Sequence, residues 1–563
     1  MAYSQKDAFR QSDKQGGQTE ISVAYIENLE EDTHTSHRLR RDLKSRHIIM
    51  ITIGGAIGTN LINGTGLALA VTGPVPLLIG YIIAAFLCFL VMTALGEMAT
   101  WLPHPSGFTG YATRFAHPAL GFTLGWTYWA KLCTMIPGNL IAASYVVQFW
   151  LPSEKVSPGV FIAIFLVCIV CINYLEVRSF GEIQFWLSSI KVLTLIGLIF
   201  LSLILASGGG PNHHATGFQY WNNPGAFHGY ITTGATGRFL AVYSAITTSV
   251  FAYMGTELVG FTVGETANPR KAIPRAIKLI FFQIIALYII LVFLLGMTVP
   301  YDAKPLLKGA SPFMVAIQIS GINALPSIFN ACVLICVFSA ATSDLYVASR
   351  ILYGLSHEGM VHKIFSRTDS RGVPIVSLGV CAGCCIPAFL TLKSSITTVF
   401  GYVFNVVNIF GLLTWISILI THICFVRARQ AQNIAPSALV YTAPLGIWGS
   451  IGALCFSIII TVFNGFALFC YRATAAPGRK AKFDTITFVT TYLGIPLYVI
   501  LFFGYRFVKE VHSVKPEAAD LYSGKEKIDA EEEEFLAREQ ARVEGMLETK
   551  IRRIYRLATG RSS

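Results

Sequence analysis

Four ionisable side chains lie inside long apolar stretches of this chain: Lys131, Lys191, Glu257 and Asp344. A charge in such a setting is costly, so it pairs, titrates or meets a charged ligand. Lys191 and Glu257 lie deepest in their stretches and are the candidates for handling protons. Asp344 closes the run Ser339-Ala340-Ala341-Thr342-Ser343-Asp344, a small polar surface that also suits helix packing. Glu97, near the end of its stretch, reads as interfacial and structural. Lys131, Met135 and Asn139 are spaced by four and share one helix face, within the limits of a kink at Pro137. Lys131 and Asn139 are then ~12 Å apart along the axis. That ammonium can meet a ligand's charged end, or can snorkel or pair with a carbonyl without touching ligand.

The elements that position these residues are membrane helices. At 563 residues a soluble chain would form about four domains. Charged residues are 13% and hydrophobic residues 53%, too little charge to cover soluble surfaces. Mean hydropathy is +0.58. Blocks such as 183–206 and 276–299 reach the ~20 residues that cross a hydrocarbon core. Hydropathy places twelve spans near 47–72, 76–101, 119–150, 158–175, 183–206, 239–262, 276–299, 324–349, 375–392, 396–426, 444–471 and 484–508. The expected organisation is a polar tail over 1–46, an all-α permeation domain over 47–509, and a second tail over 510–563. That second tail carries an amphipathic pattern at Leu536, Val543, Leu547, Ile551 and Ile554.

An even number of spans puts both termini on one side. Arg38, Arg40, Arg41, Lys44 and Arg46 before the first span make that side cytoplasmic. Arg270, Lys271 and Arg275, and then Arg350, Lys363, Arg367 and Arg371, follow the same rule. Arg472, Arg479, Lys480 and Lys482 break it. The net charge of +12 therefore reflects topology rather than nucleic-acid binding. All twelve cysteines fall in apolar blocks. The group Cys381, Cys384 and Cys385 has no histidine nearby, so free thiols are expected, with no metal, cofactor or enzyme chemistry.

Two spans are poor helices. The first holds five glycines between Gly54 and Gly66 and includes Gly58-Thr59-Asn60. Small residues let helices pack closely, but Gly and Asn also tolerate left-handed backbone, and interruption is favoured. A phosphate-binding loop is excluded, because no strand precedes these glycines and no Lys-Ser/Thr follows. The sixth span repeats the pattern in Phe251-Ala252-Tyr253-Met254-Gly255-Thr256-Glu257. Breaks five helices apart predict an inverted repeat with its ligand at the breaks.

As a set, Gly58-Thr59, Gly96-Glu97-Met98, Gly181-Glu182, Phe185-Trp186, Gly255-Thr256-Glu257-Leu258-Val259-Gly260 and Asn268-Pro269-Arg270-Lys271 resemble the fungal amino-acid permeases of the amino acid–polyamine–organocation superfamily. Trp126 to Lys131, Ile136 to Leu140, Gly208 to His213 and Leu521 to Glu526 resemble the dicarboxylic amino-acid permease subgroup. The resemblance implies a five-plus-five core with two added helices and proton-coupled import of glutamate and aspartate at the plasma membrane. It implies that the amides of Gly58, Thr59 and Asn60 bind the substrate α-carboxylate. The carbonyls of Phe251, Ala252 and Tyr253 would take the α-ammonium beside Thr256, with the Phe251 ring as gate. It also implies ubiquitylation of Lys6, Lys14 or Lys44 as an endocytic signal. Asn60, Asn63 and Gly138 depart from the family pattern, which leaves open neutral or basic substrates, or a non-transporting sensor.

Overall fold

A computed structural model describes residues 45–541, other than 58–60, 62–63, 105, 153, 212, 263–268, 308–310, 322–324, 394–395, 471–482, 527, 531 and 539. The tail lysines and the amphipathic pattern beyond Leu536 thus lie outside the described residues. The first span is two helices, α1 (Ser45–Ala56) and α2 (Thr65–Thr72). After it come α3 (Pro74–Trp101), α4 (Pro118–Val147), α5 (Pro158–Tyr174), α6 (Val177–Ala206) and α7 (Gly234–Tyr253). The second half holds α8 (Pro269–Thr298), α9 (Leu325–His357), α10 (Ile375–Gly383), α11 (Ile396–Ala431), α12 (Gly446–Val462), α13 (Thr485–Tyr492) and α14 (Gly494–Val508). Among the described residues eight helices are long and apolar enough to cross a membrane, or nine if the bent pair α13–α14 is one span. The fold is an all-helical polytopic membrane protein.

Local chemistry starts these helices where the sequence turns. α3, α4, α5 and α8 begin at proline, whose missing N–H is not needed in a first turn. The His117 ring accepts from Ala119 N–H and caps α4, and Asp484 does the same for α13 through Thr487 N–H. Several helices overrun their apolar windows at one end. α9 has 33 residues, about 50 Å at 1.5 Å per residue, and carries Arg350 beyond its apolar part. Hydropathy reports bilayer thickness, whereas helix length also includes the turns that stand in water.

With no hydrophobic drive between helices in lipid, small residues and polar stitches hold them together. Gln184 of α6 donates to the hydroxyls of Ser339 (2.9 Å) and Ser343 (2.6 Å) on α9. Asn173 of α5 donates to Thr342 O at 3.2 Å. The large apolar side chains left exposed on the outside, such as Trp186, Phe282 and Trp448, suit contact with lipid.

One end of the bundle is closed by the chain's own C-terminal segment. Leu521 is fully buried there, and its carbonyl accepts from Trp101 Nε1 at 3.0 Å. Arg114 donates to Ser523 O at 3.1 Å, and the Lys525 ammonium lies 3.8 Å from the Trp101 ring centre. Arg270, at the start of α8, pairs with Asp529 (2.5 Å) and Glu532 (2.8 Å). The segment that carries Leu521 to Glu526 is therefore a strap across the helix ends that hold Trp101, Arg114 and Arg270, a role that the sequence does not disclose.

Candidate functional site

The break in the sixth span is built by one residue. α7 stops at Tyr253, Met254 is extended, and Gly255 has φ +107°, a left-handed value open to glycine. A 3-10 turn, Thr256–Leu258, and a short helix, Val259–Thr262, resume the path. Phe251 O accepts from Met254 N–H at 3.2 Å, and Tyr253 O accepts from the Thr256 hydroxyl at 3.0 Å. The Phe251 ring packs on Phe404 with centroids 4.0 Å apart, covering the break from the side of α11.

Glu257 follows the break and is fully buried. Its Oε1 accepts from Lys131 Nζ at 2.5 Å and from Tyr128 OH at 3.2 Å. Its Oε2 accepts from Gly255 N–H at 3.0 Å and from Trp415 Nε1 at 3.2 Å. Tyr128 and Lys131 are three apart on α4, hence on one face, and Trp415 comes from α11. The structure thus joins two residues that the sequence reading kept apart, Lys131 as a ligand-facing ammonium and Glu257 as a proton handler. They form one buried ion pair with every strong acceptor direction on the carboxylate occupied.

The break in the first span is held differently. α1 ends at Ala56, and α2 begins at Thr65. Gly58, Thr59 and Asn60, the expected carboxylate-binding amides, lie outside the described residues, as does Asn63. At the end of α1, Lys191 of α6 donates to Gly54 O and, at 3.1 Å, to Ile57 O. Lys191 has no exposed surface. A cation on unsatisfied C-terminal carbonyls sits where the helix dipole favours it. Gly54 also serves the close-packing reading, since a Cβ there would lie 2.4 Å from Gln184 Nε2. The interruption expected at Gly58-Thr59-Asn60 itself lies outside the described residues.

Asn139 does not point its amide at Lys131 or Met135. It donates to Asp344 Oδ2 at 2.9 Å, tying α4 to α9 below the Pro137 kink. Asp344 is 4% exposed. The charges of Lys131, Lys191 and Glu257 all act on it. Asp344, which the sequence marks as an intramembrane charge on a surface that also suits packing, joins this group, whereas Tyr128, Trp415 and Gln184 carry no signal in the sequence beyond their places in apolar blocks. Glu97 is structural as expected: its carboxylate accepts from Ala443 N–H at 2.7 Å and meets His422 at 3.3 Å, pinning α3 to α11 and the loop after it. The twelve cysteines are free thiols.

Comparison with known proteins agrees with this architecture. The chain is 46% identical over 533 residues to the dicarboxylic amino acid permease of Saccharomyces cerevisiae, covering 93% of this chain and 85% of that one. It is 36% identical to the lysine-specific permease of the same yeast (90% and 83% covered) and 35% identical to its general amino-acid permease (91% and 84%). Among solved structures, a manganese transporter of Eremococcus coleocola shares the fold, with a TM-score of 0.51 at 10% identity over 82% of this chain and 94% of that one. The family described as amino acid permease matches residues 47–515, and the chain, a membrane transporter and not an enzyme, belongs to that family.

Proposed function

We propose that this permease imports acidic amino acids, glutamate and aspartate, across the plasma membrane together with protons. Its spans number twelve, five plus five inverted and two added, with both termini in the cytoplasm. The observation that carries this reading is the pairing of two helix breaks with opposite polarity, one held by Lys191 and the other by Glu257. A substrate spanning the breaks sets its α-carboxylate on the amides of Gly58, Thr59 and Asn60. Its α-ammonium goes to the carbonyls of Phe251, Ala252 and Tyr253, where half-helix ends supply the complementary fields. Those groups are common to all amino acids, so the side chain needs its own reader. Lys131 has three donors and gives one to Glu257; a second carboxylate takes another. The 46% identity to a dicarboxylic amino acid permease supports the acidic choice.

The inside-negative potential opposes a net anion by ~2.3 kcal/mol per charge per 100 mV. One proton cancels that charge, and two make the cycle electrogenic. Inward current with glutamate at low external pH is the expected sign of two, and electroneutral uptake rules two out. A competition panel of unlabelled amino acids against labelled glutamate, in cells lacking other permeases, tests the substrate. Displacement by aspartate alone supports the acidic reading. A neutral or basic competitor that itself accumulates overturns it, and no uptake with intact nutrient signalling makes the protein a sensor. In the transporting cell, Lys6, Lys14 and Lys44 are the sites for ubiquitin-directed removal.

A further inference from the structure

Glu257 and Asp344 are both buried carboxylates reached from α4, and their surroundings differ in kind. Glu257 takes four hydrogen bonds, one from an ammonium. Among the described residues Asp344 takes one, from a neutral amide. The charged and titratable groups that face Asp344 are Lys131 and Tyr128 of α4, Lys191 of α6 and Glu257 after the break of α7. Neither lysine bonds it, because Lys131 is engaged by Glu257 and Lys191 by the carbonyls of α1. The charge on Glu257 is compensated by an ammonium and three further donors, whereas a charge on Asp344 has one neutral donor to offset the loss of water. Asp344 also stands beside the first break: its neighbour Ser343 accepts from Gln184, the side chain packed against Gly54.

We propose that Asp344 is the group that takes up and releases the transported proton, with Asn139 as the positioning residue that holds one carboxylate oxygen. The site then balances its own charge. Lys131, Lys191, Glu257 and Asp344 sum to zero when all are ionised, and an acidic amino acid adds a net negative charge. A proton from external water forms an O–H bond at Asp344 Oδ1 while Asn139 stays on Oδ2, and the sum returns to zero with substrate bound. On the cytoplasmic side the O–H bond breaks and the proton leaves to water, restoring the carboxylate that repels a returning anion. The charge balance rests on the acid-importing reading; the location of the proton does not.

The test uses the full-length protein in liposomes, with the amino acid that the wild type takes up best. A pH difference of two units sustains about 100-fold accumulation for one proton per substrate. Asp344→Asn is expected to lose that accumulation, to retain measurable exchange of internal for external substrate, and to lose the pH dependence of that exchange. Accumulation at the wild-type level, or loss of exchange together with accumulation in correctly folded protein, overturns the proposal. Should Asp344→Asn fail to fold, Asn139→Leu decides. Removing the donor to the ionised form shifts the midpoint of the pH profile upward, and a midpoint that stays put overturns the proposal. Should the preferred amino acid be neutral, the acid-importing reading fails, and the same comparison still locates the proton.

Discussion

The two helix breaks use opposite ions. At the first, a C-terminal half-helix exposes carbonyls and receives an ammonium, Lys191, from α6. At the second, a turn exposes the Gly255 N–H and receives a carboxylate, Glu257, from two residues on in the same segment. Each ion has the sign that its helix end favours. They differ in company: Glu257 is further neutralised by Lys131, whereas Lys191 meets only carbonyl oxygens among its described hydrogen bonds. The second break is thus electrically closed, whereas the first holds a cation bonded to carbonyls and to no carboxylate among the described residues. One region is built to stay and the other to change.

The largest expected effect breaks the closed region. Removing one partner of a buried ion pair costs about 3–5 kcal/mol, because the other charge is left alone. Glu257→Gln and Lys131→Met should each lower the amount of folded permease at the cell surface, and the double variant should recover part of that loss. Independent, additive losses would show that the pair is not a unit. At whatever surface level Lys131→Met reaches, the acidic reading also predicts a preferential loss of glutamate and aspartate over neutral amino acids; an equal loss makes Lys131 purely structural.

Next comes the region built to change. Lys191→Met removes an ammonium from the carbonyls of α1 and should abolish uptake driven by a pH gradient. Survival of both exchange and gradient-driven uptake would reduce Lys191 to a helix cap. Gly255→Ala probes the turn itself: a left-handed backbone costs a residue with Cβ about 1–2 kcal/mol, read as a lower unfolding temperature in detergent. The smallest effect belongs to Gly54→Ala. Its new Cβ would lie 2.4 Å from Gln184 Nε2 and 2.5 Å from Ser188 Oγ, which must shift, so a loss of about 1 kcal/mol is expected, the lower end of overpacking costs. A larger loss there than at Gly255 would mean that the first break is the rigid one.

How much of this was legible follows from what a bilayer demands. Membrane helices were legible because lipid requires a continuous apolar run; of the twelve expected spans, eight or nine are matched by helices long and apolar enough among the described residues, while the shorter ones, such as α5 and α10, fall below that length. The sixth-span break was legible because Gly255 and Glu257 are wrong for a helix in lipid. Partnership was not: Lys131 and Glu257 are 126 residues apart, and hydropathy marks each without naming the other. The usable signal was arithmetic, since two opposite charges in mid-span have few other places to go. Asn139 and Asp344 lacked even that, because an amide in a helix predicts no particular acceptor. Trp415 lacked any signal, its indole N–H being a detail of rotamer and crossing angle.

The strap has a consequence for the order in which the molecule is made. Leu521 closes a hydrogen bond to Trp101 across 420 residues, and Ser523 closes one to Arg114 across 409. The ribosome emits these early helix ends long before the groups that complete them. Until the segment from Leu521 onward emerges, Trp101, Arg114 and Arg270 present an indole N–H and two guanidinium groups without these acceptors. A product that stops short of Leu521 therefore keeps those donors unmet, and so differs chemically from one that has made the strap.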